Sequence, residues 1–119
     1  MIEYSKFVLD HYRNPRNFGI LEKPTHRAYE LNPLCGDEIT VYLKIKNNLL
    51  QDIKYRAQGC ALSIAAASVL SESIKNKPII EIERLAGKDI EELLGIKVSP
   101  ARKQCTALAL NAVKKTLAT

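Results

Sequence analysis

No stretch of this sequence is long and apolar enough to cross a bilayer, and that absence sets the first limit. The longest apolar run, Ala61 to Leu70, is interrupted by Ser63 and Ser68 and reaches about half of the roughly 20 residues a spanning helix needs. A charged-then-apolar leader with a small-residue cleavage site is also missing, because Glu3, Lys6 and Asp10 break up the N-terminus. The expectation is a cytoplasmic protein with no membrane partner. Cysteine is scarce. The three residues, Cys35, Cys60 and Cys105, have 24 and 44 residues between them and form no CxxC pair. An odd number of thiols, kept reduced in such a compartment, argues against a disulfide framework and leaves metal binding, thiol chemistry or plain burial. Eighteen basic against 13 acidic residues give a net charge of +5, which favours an acidic partner. Yet the lysines are spread along the chain, with no arginine-rich run and no aromatic-interleaved basic stretch, so no nucleic-acid partner is expected. Repeats, low-complexity tracts and linkers are absent too. Residues 1–119 are read as a single domain, and a 46% hydrophobic content suffices for a core without disulfide staples.

What is present has a clear order. Apolar residues at helical spacing predict a helix from Tyr4 to Arg13, stopped by Asn14-Pro15 because the residue before a proline is pushed out of the α region. Ile39, Val41, Leu43 and Ile45 alternate with Thr40, Tyr42, Lys44 and Lys46, a strand with one apolar face. Asn47-Asn48 suits a tight turn with positive φ. Ile53, Tyr55 and Ala57 alternate in a second strand, and Arg27 to Leu31 offers a third. Ala61 to Ser73, apolar or small on nearly every side, reads as a helix buried on most of its faces, broken by Lys77-Pro78. Two short helices follow, Ile79 to Ala86 and Asp89 to Leu94, closed by Gly87 and Gly95. Ser99-Pro100 reads as a cap with proline at the first helical position. The last helix carries an apolar stripe of Ala101, Cys105, Leu108, Ala109, Ala112, Val113 and Leu117. The fold class is α+β: a small antiparallel sheet of about three strands with one face covered by helices.

Cys35-Gly36-Asp37 falls in a loop just before the first hairpin strand. In an extended segment the side chains at i and i+2 point the same way, so a thiolate and a carboxylate there can share one metal ion. Cys60 follows Gly59 where the second strand hands over to the buried helix, a position where the helix dipole favours thiolate. A hairpin brings its outer ends together, which makes the segments carrying Cys35 and Cys60 neighbours. Cys105 lies on an apolar stripe, where a free cysteine taken alone reads as packed core more often than as a third ligand, and pattern alone does not say whether it joins the other two. His11, in the first helix, reads as packed rather than ligating. His26 reads as a loop residue with no partner. Arg102 and Lys103 are either solvated charges or cations that hold a neighbouring cysteine as thiolate.

Taken together, the motifs resemble a known family. Asp10-His11-Tyr12-Arg13-Asn14-Pro15-Arg16-Asn17-Phe18-Gly19 looks like the DHYxNPRNxG signature of the IscU/NifU-like scaffolds, and Asn32-Pro33-Leu34-Cys35-Gly36-Asp37 resembles their NPxCGD loop. Gln58-Gly59-Cys60 before a small-residue helix, and Cys105 followed by Leu108, are similar to their second and third cysteine segments. The resemblance implies a scaffold that accepts sulfur as persulfide from a cysteine desulfurase. It builds a transient iron–sulfur cluster, of the 2Fe–2S type, on Cys35, Asp37, Cys60 and Cys105, and passes it to apoproteins. Such a protein is a binding and assembly device rather than an enzyme, with Cys35 as the sulfur acceptor and Cys105 as the alternative.

Two departures bear on the branch. The residue before the third cysteine is usually histidine in the IscU and NifU branches and is Gln104 here. Val98-Ser99-Pro100-Ala101-Arg102 lacks the full LPPVK sequence read by a dedicated chaperone. Both lean towards the SufU branch, in which zinc occupies the same four residues and the protein is a zinc-dependent sulfurtransferase. The insertion typical of that branch is missing, which favours the scaffold. A structural-zinc adaptor is a third reading.

Overall fold

The structure is a computed structural model that describes residues 5–118. Helix α1 spans Lys6–Arg13 and starts on Ser5, whose hydroxyl accepts the Val8 N–H at 3.2 Å. It stops at Asn14, where the following proline predicts a stop. Tyr4, at the start of the expected helix, lies outside the described residues.

Three strands follow: β1 (His26–Asn32), β2 (Asp37–Lys46) and β3 (Leu49–Gln58). They form one antiparallel sheet in the order β1-β2-β3. The β2–β3 turn is made by Asn47 and Asn48 with φ of 55° and 62°, the left-handed pair a two-residue hairpin of this twist requires. Ile39, Val41, Leu43, Ile53 and Tyr55 are buried on the helix-covered face. The edge of β3 is closed by the segment after α1, since Gly19 N–H reaches Tyr55 O at 2.8 Å and Tyr55 N–H reaches Asn17 O at 3.2 Å.

Helix α2 (Ala61–Ile74) is buried on most of its surface and packs on α1, β3, α4 and α5. Helix α5 (Lys103–Leu117) lies across β1 and β2, with Cys105, Leu108, Ala109, Ala112 and Val113 buried. It runs opposite to β1: Lys115, near its C-terminus, donates to Tyr29 O at 3.2 Å. Its first turn therefore arrives at the end of the sheet that carries the β1–β2 turn. One continuous core joins residues of the sheet to residues of α1 to α5.

Four local expectations need correction. Helix α3 covers only Ile79–Glu83, and Gly87 does not close it but opens α4 (Gly87–Leu94). The cause is Asp89, whose Oδ2 accepts the Ala86 N–H at 2.7 Å and so fixes the N-terminus of α4 two residues early. Ser99 makes no side-chain cap. Its carbonyl accepts the Arg102 N–H at 2.9 Å in a single 3-10 turn, Pro100–Arg102, before the α-helix begins at Lys103. Ala101 is consequently exposed and leaves the apolar stripe. His26 is not a partnerless loop residue but the first residue of β1, with Nδ1 2.9 Å from Thr25 Oγ1.

Candidate metal centre

The β1–β2 turn positions the first two candidate ligands. Asn32 Oδ1 accepts the Leu34 N–H at 3.2 Å and Asn32 O accepts the Gly36 N–H at 2.8 Å. The turn closes with Gly36 at φ +73°, a conformation that glycine adopts without steric cost. Cys35 is thereby left exposed on the turn, while Asp37, the first residue of β2, is 2% exposed.

A carboxylate so buried needs partners, and α2 supplies them. Cys60 is the N-cap of α2 but its side chain caps nothing. Asp37 grips the start of α2 from the neighbouring strand without capping it: Oδ1 accepts the Cys60 N–H at 3.2 Å and Oδ2 accepts the Ser63 hydroxyl at 2.8 Å. The negative charge also lies where the helix dipole favours it. Glu38 pairs with Gln58, which sets Asp37 against Gly59. A Cβ at Gly59 would stand 2.6 Å from Asp37 Oδ1, so the carboxylate occupies space that only glycine leaves open.

Cys105, in the first turn of α5, is buried, and its thiol donates to Cys35 Sγ at 3.9 Å. One ligand atom from each of Cys35, Asp37 and Cys105 lies within 4.8 Å of the others. Cys60 lines the same open cleft, of about 610 Å³, with Gly59 and Arg102. Its thiol turns instead towards Ser63 Oγ, 3.5 Å away. Burial, together with hydrogen bonds to Asp37 and Cys35 and the charge of Cys60, pushes the Cys105 thiol up to about 12. In the metal-free protein Cys105 therefore keeps its proton at neutral pH and must lose it to bind a metal. Soft sulfur donors beside a single carboxylate suit zinc or an iron–sulfur centre, so the residues present fit either group.

The other sequence candidates go elsewhere. Lys103 Nζ binds Glu91 at 3.1 Å and 3.3 Å, and Gln104 is exposed. His11 is buried, with Nδ1 2.7 Å from Ser68 Oγ and Nε2 3.6 Å from Glu72. Ser68 Oγ also accepts the Arg16 N–H at 2.9 Å, so one serine ties both His11 and the segment after α1 to α2. Asn17 adds a 3.0 Å bond to Ser71. The N-terminal signature thus acts as a polar clasp on the serines of α2. Sequence reasoning missed the seat formed by Gly59 and Ser63; the only signal was a serine three residues after a cysteine at a helix start, which does not reveal its strand partner.

This α+β fold with thiols and a buried carboxylate at one end of the sheet defines a class. The chain belongs to the NifU-like N terminal domain family, whose model matches residues 3–119. It is 37% identical over 114 residues to an iron–sulfur cluster assembly scaffold protein IscU of Archaeoglobus fulgidus, covering 96% of this chain and 74% of that one. It is 34% identical to the zinc-dependent sulfurtransferase SufU of Bacillus subtilis, covering 97% and 89%. A crystal structure of a candidate SUF-system scaffold from Fervidobacterium islandicum superposes with a TM-score of 0.84 at 25% identity, covering 96% of each chain.

Proposed function

We propose that the protein, with residues 1–119 acting as one domain, is a scaffold for iron–sulfur cluster assembly. It accepts sulfur from a cysteine desulfurase and passes a labile cluster to apoproteins. The observation that carries this reading is the meeting of Cys35, Asp37 and Cys105 within 4.8 Å, in a cleft that Cys60 also lines. Cys35, Asp37, Cys60 and Cys105 are the ligand set, with Cys60 joining when its thiol turns from Ser63 into the cleft. The cluster, of the 2Fe–2S type, is cargo rather than a resident cofactor, and the protein is a carrier rather than a catalyst. Cys35 is the sulfur acceptor because it is exposed. Its thiolate attacks the outer sulfur of the desulfurase persulfide; a new S–S bond forms on Cys35 and the desulfurase cysteine leaves as thiolate.

A second reading, a zinc-dependent sulfurtransferase, is supported by Gln104 in place of the usual histidine and by the similarity to the Bacillus protein. Anaerobic analysis of metal, iron and sulfide before and after incubation with a cysteine desulfurase separates the two. A scaffold gains equal iron and sulfide. A protein that keeps zinc, carries persulfide and never acquires iron is the sulfurtransferase.

A further inference from the structure

The Asp37 carboxylate is held from behind by a hydroxyl that no cluster chemistry requires. Ser63 is buried in the first turn of α2 and gives its single proton to Asp37 Oδ2 at 2.8 Å. That commitment fixes its other contact: towards Cys60 Sγ, 3.5 Å away, Ser63 presents only lone pairs. With the Cys60 N–H on Oδ1 and Gly59 leaving the space, both carboxylate oxygens have a hydrogen-bonding partner before any metal arrives. A metal that binds Asp37 does so with this seat in place, since each carboxylate oxygen keeps a second lone pair. The Ser63 hydroxyl on Oδ2 and the Cys60 N–H on Oδ1 fix the direction in which those remaining lone pairs are offered.

We propose that Ser63 is a positioning residue for Asp37, holding Oδ2 in the α2 seat so that the carboxylate meets a metal in a fixed orientation and through one oxygen. The proposal deepens the function above and rests on Asp37 being a ligand. The seat orders the carboxylate before any metal arrives. Removing the hydroxyl leaves the carboxylate free to turn, so part of the binding energy goes into ordering it and the metal is held less firmly. Loss of a partner that orients a ligand in this way costs about ten-fold or more in metal affinity.

The test uses zinc alone. Purified zinc-loaded wild type, Ser63→Ala, Ser63→Thr, Asp37→Ala and the Ser63→Ala/Asp37→Ala double variant are mixed with a chromogenic chelator, and zinc release is timed. Ser63→Ala is expected to release zinc about ten-fold faster than wild type, and Ser63→Thr, which keeps the hydroxyl, at the wild-type rate. In the Asp37→Ala background Ser63→Ala should change nothing, because the hydroxyl acts only through the carboxylate. Release from Ser63→Ala no faster than from wild type, or an undiminished effect without Asp37, overturns the proposal. Should Ser63→Ala fail to fold, the carboxylate infrared bands of zinc-loaded wild type decide. A wide splitting means one-oxygen coordination and supports the proposal, and a narrow one overturns it. Zinc release from Asp37→Ala at the wild-type rate would instead remove Asp37 from the ligand set, whereas failure to build a cluster would end the scaffold reading and leave the zinc result standing.

Discussion

Cys105 Sγ stands 3.9 Å from Cys35 Sγ although 70 positions separate them in the chain. One thiol is buried and the other exposed, so the pair spans the boundary between core and cleft. The buried partner is raised from an ordinary value of 9.0 to about 12. Its proton must leave when a metal binds, so zinc affinity rises with pH, and calorimetry in buffers of different ionisation enthalpy should count about one proton fewer for Cys105→Ala than for wild type at pH 7. In the metal-free protein the unfolded thiol ionises before the folded one. Stability should therefore fall as pH rises from about 9 towards 12, and this slope should flatten in Cys105→Ala. An equal proton count would take Cys105 out of the ligand set.

Cys35→Ser should abolish desulfurase-dependent persulfide labelling, because serine is a far weaker nucleophile at neutral pH. The turn is held by Asn32 and Gly36 rather than by the thiol, so the melting temperature of the metal-free variant should stay near that of wild type. Labelling that persists, read by mass spectrometry of the alkylated protein, would move the acceptor role to Cys60 or Cys105.

Asp37→Ala separates scaffold from sulfurtransferase. In a scaffold, three thiolates remain, and a cluster should assemble but leave for an apoprotein more slowly. In a sulfurtransferase, one of four tetrahedral ligands is gone, and zinc and sulfur acceptance should fall together. Either way the structure adds a cost: the Cys60 N–H and Ser63 hydroxyl lose their acceptor, worth roughly 1–3 kcal/mol in chemical denaturation of the metal-free protein. Retained stability would mean that these two hydrogen bonds do not help to hold the start of α2 against the sheet.

The clasp of His11 on Ser68 predicts an acid-labile N-terminus. Burial lowers the His11 pKa from its ordinary 6.5, and Arg16 lowers it further, while Glu72 and Asp10 oppose the shift. A depressed value means the unfolded chain takes up a proton first as the pH falls. Stability contributed by the neutral imidazole is thus present above about 6.5 and is lost progressively below it. Thermal melts between pH 7.5 and 5 should show this slope in wild type and lose it in His11→Ala, which should also be less stable at pH 7.5 by roughly 1–3 kcal/mol. An identical slope in both proteins would assign the acid sensitivity to other groups.

Much of the architecture was legible because it is written at short range. The alternation from Ile39 to Ile45, the asparagine pair at the turn and the all-round apolar helix after Cys60 are local patterns, and each corresponds to an element of the fold. Errors arose where a local signal had two meanings. Gly87 serves a helix start as well as a helix end, and only the Asp89 side chain chose between them. Ser99-Pro100 looks the same before an α-helix and before a 3-10 turn.

By itself the sequence determined the elements, the adjacency of the Cys35 and Cys60 segments through the hairpin, and, through its motifs, the family. Whether Cys105 is core or site was not decidable there, because an apolar stripe places a cysteine on a helix face without saying which end of the sheet that face meets. The tertiary structure supplies the missing placement: α5 runs opposite to β1, so its first turn reaches the β1–β2 turn and a buried thiol meets an exposed one. The seat of Asp37 is likewise a tertiary fact. Gly59, Cys60 and Ser63 hold the carboxylate only because β2 pairs with β3 in a register that sets Asp37 against the start of α2, and hydrogen bonds between residues more than 20 positions apart leave no periodic trace in a sequence.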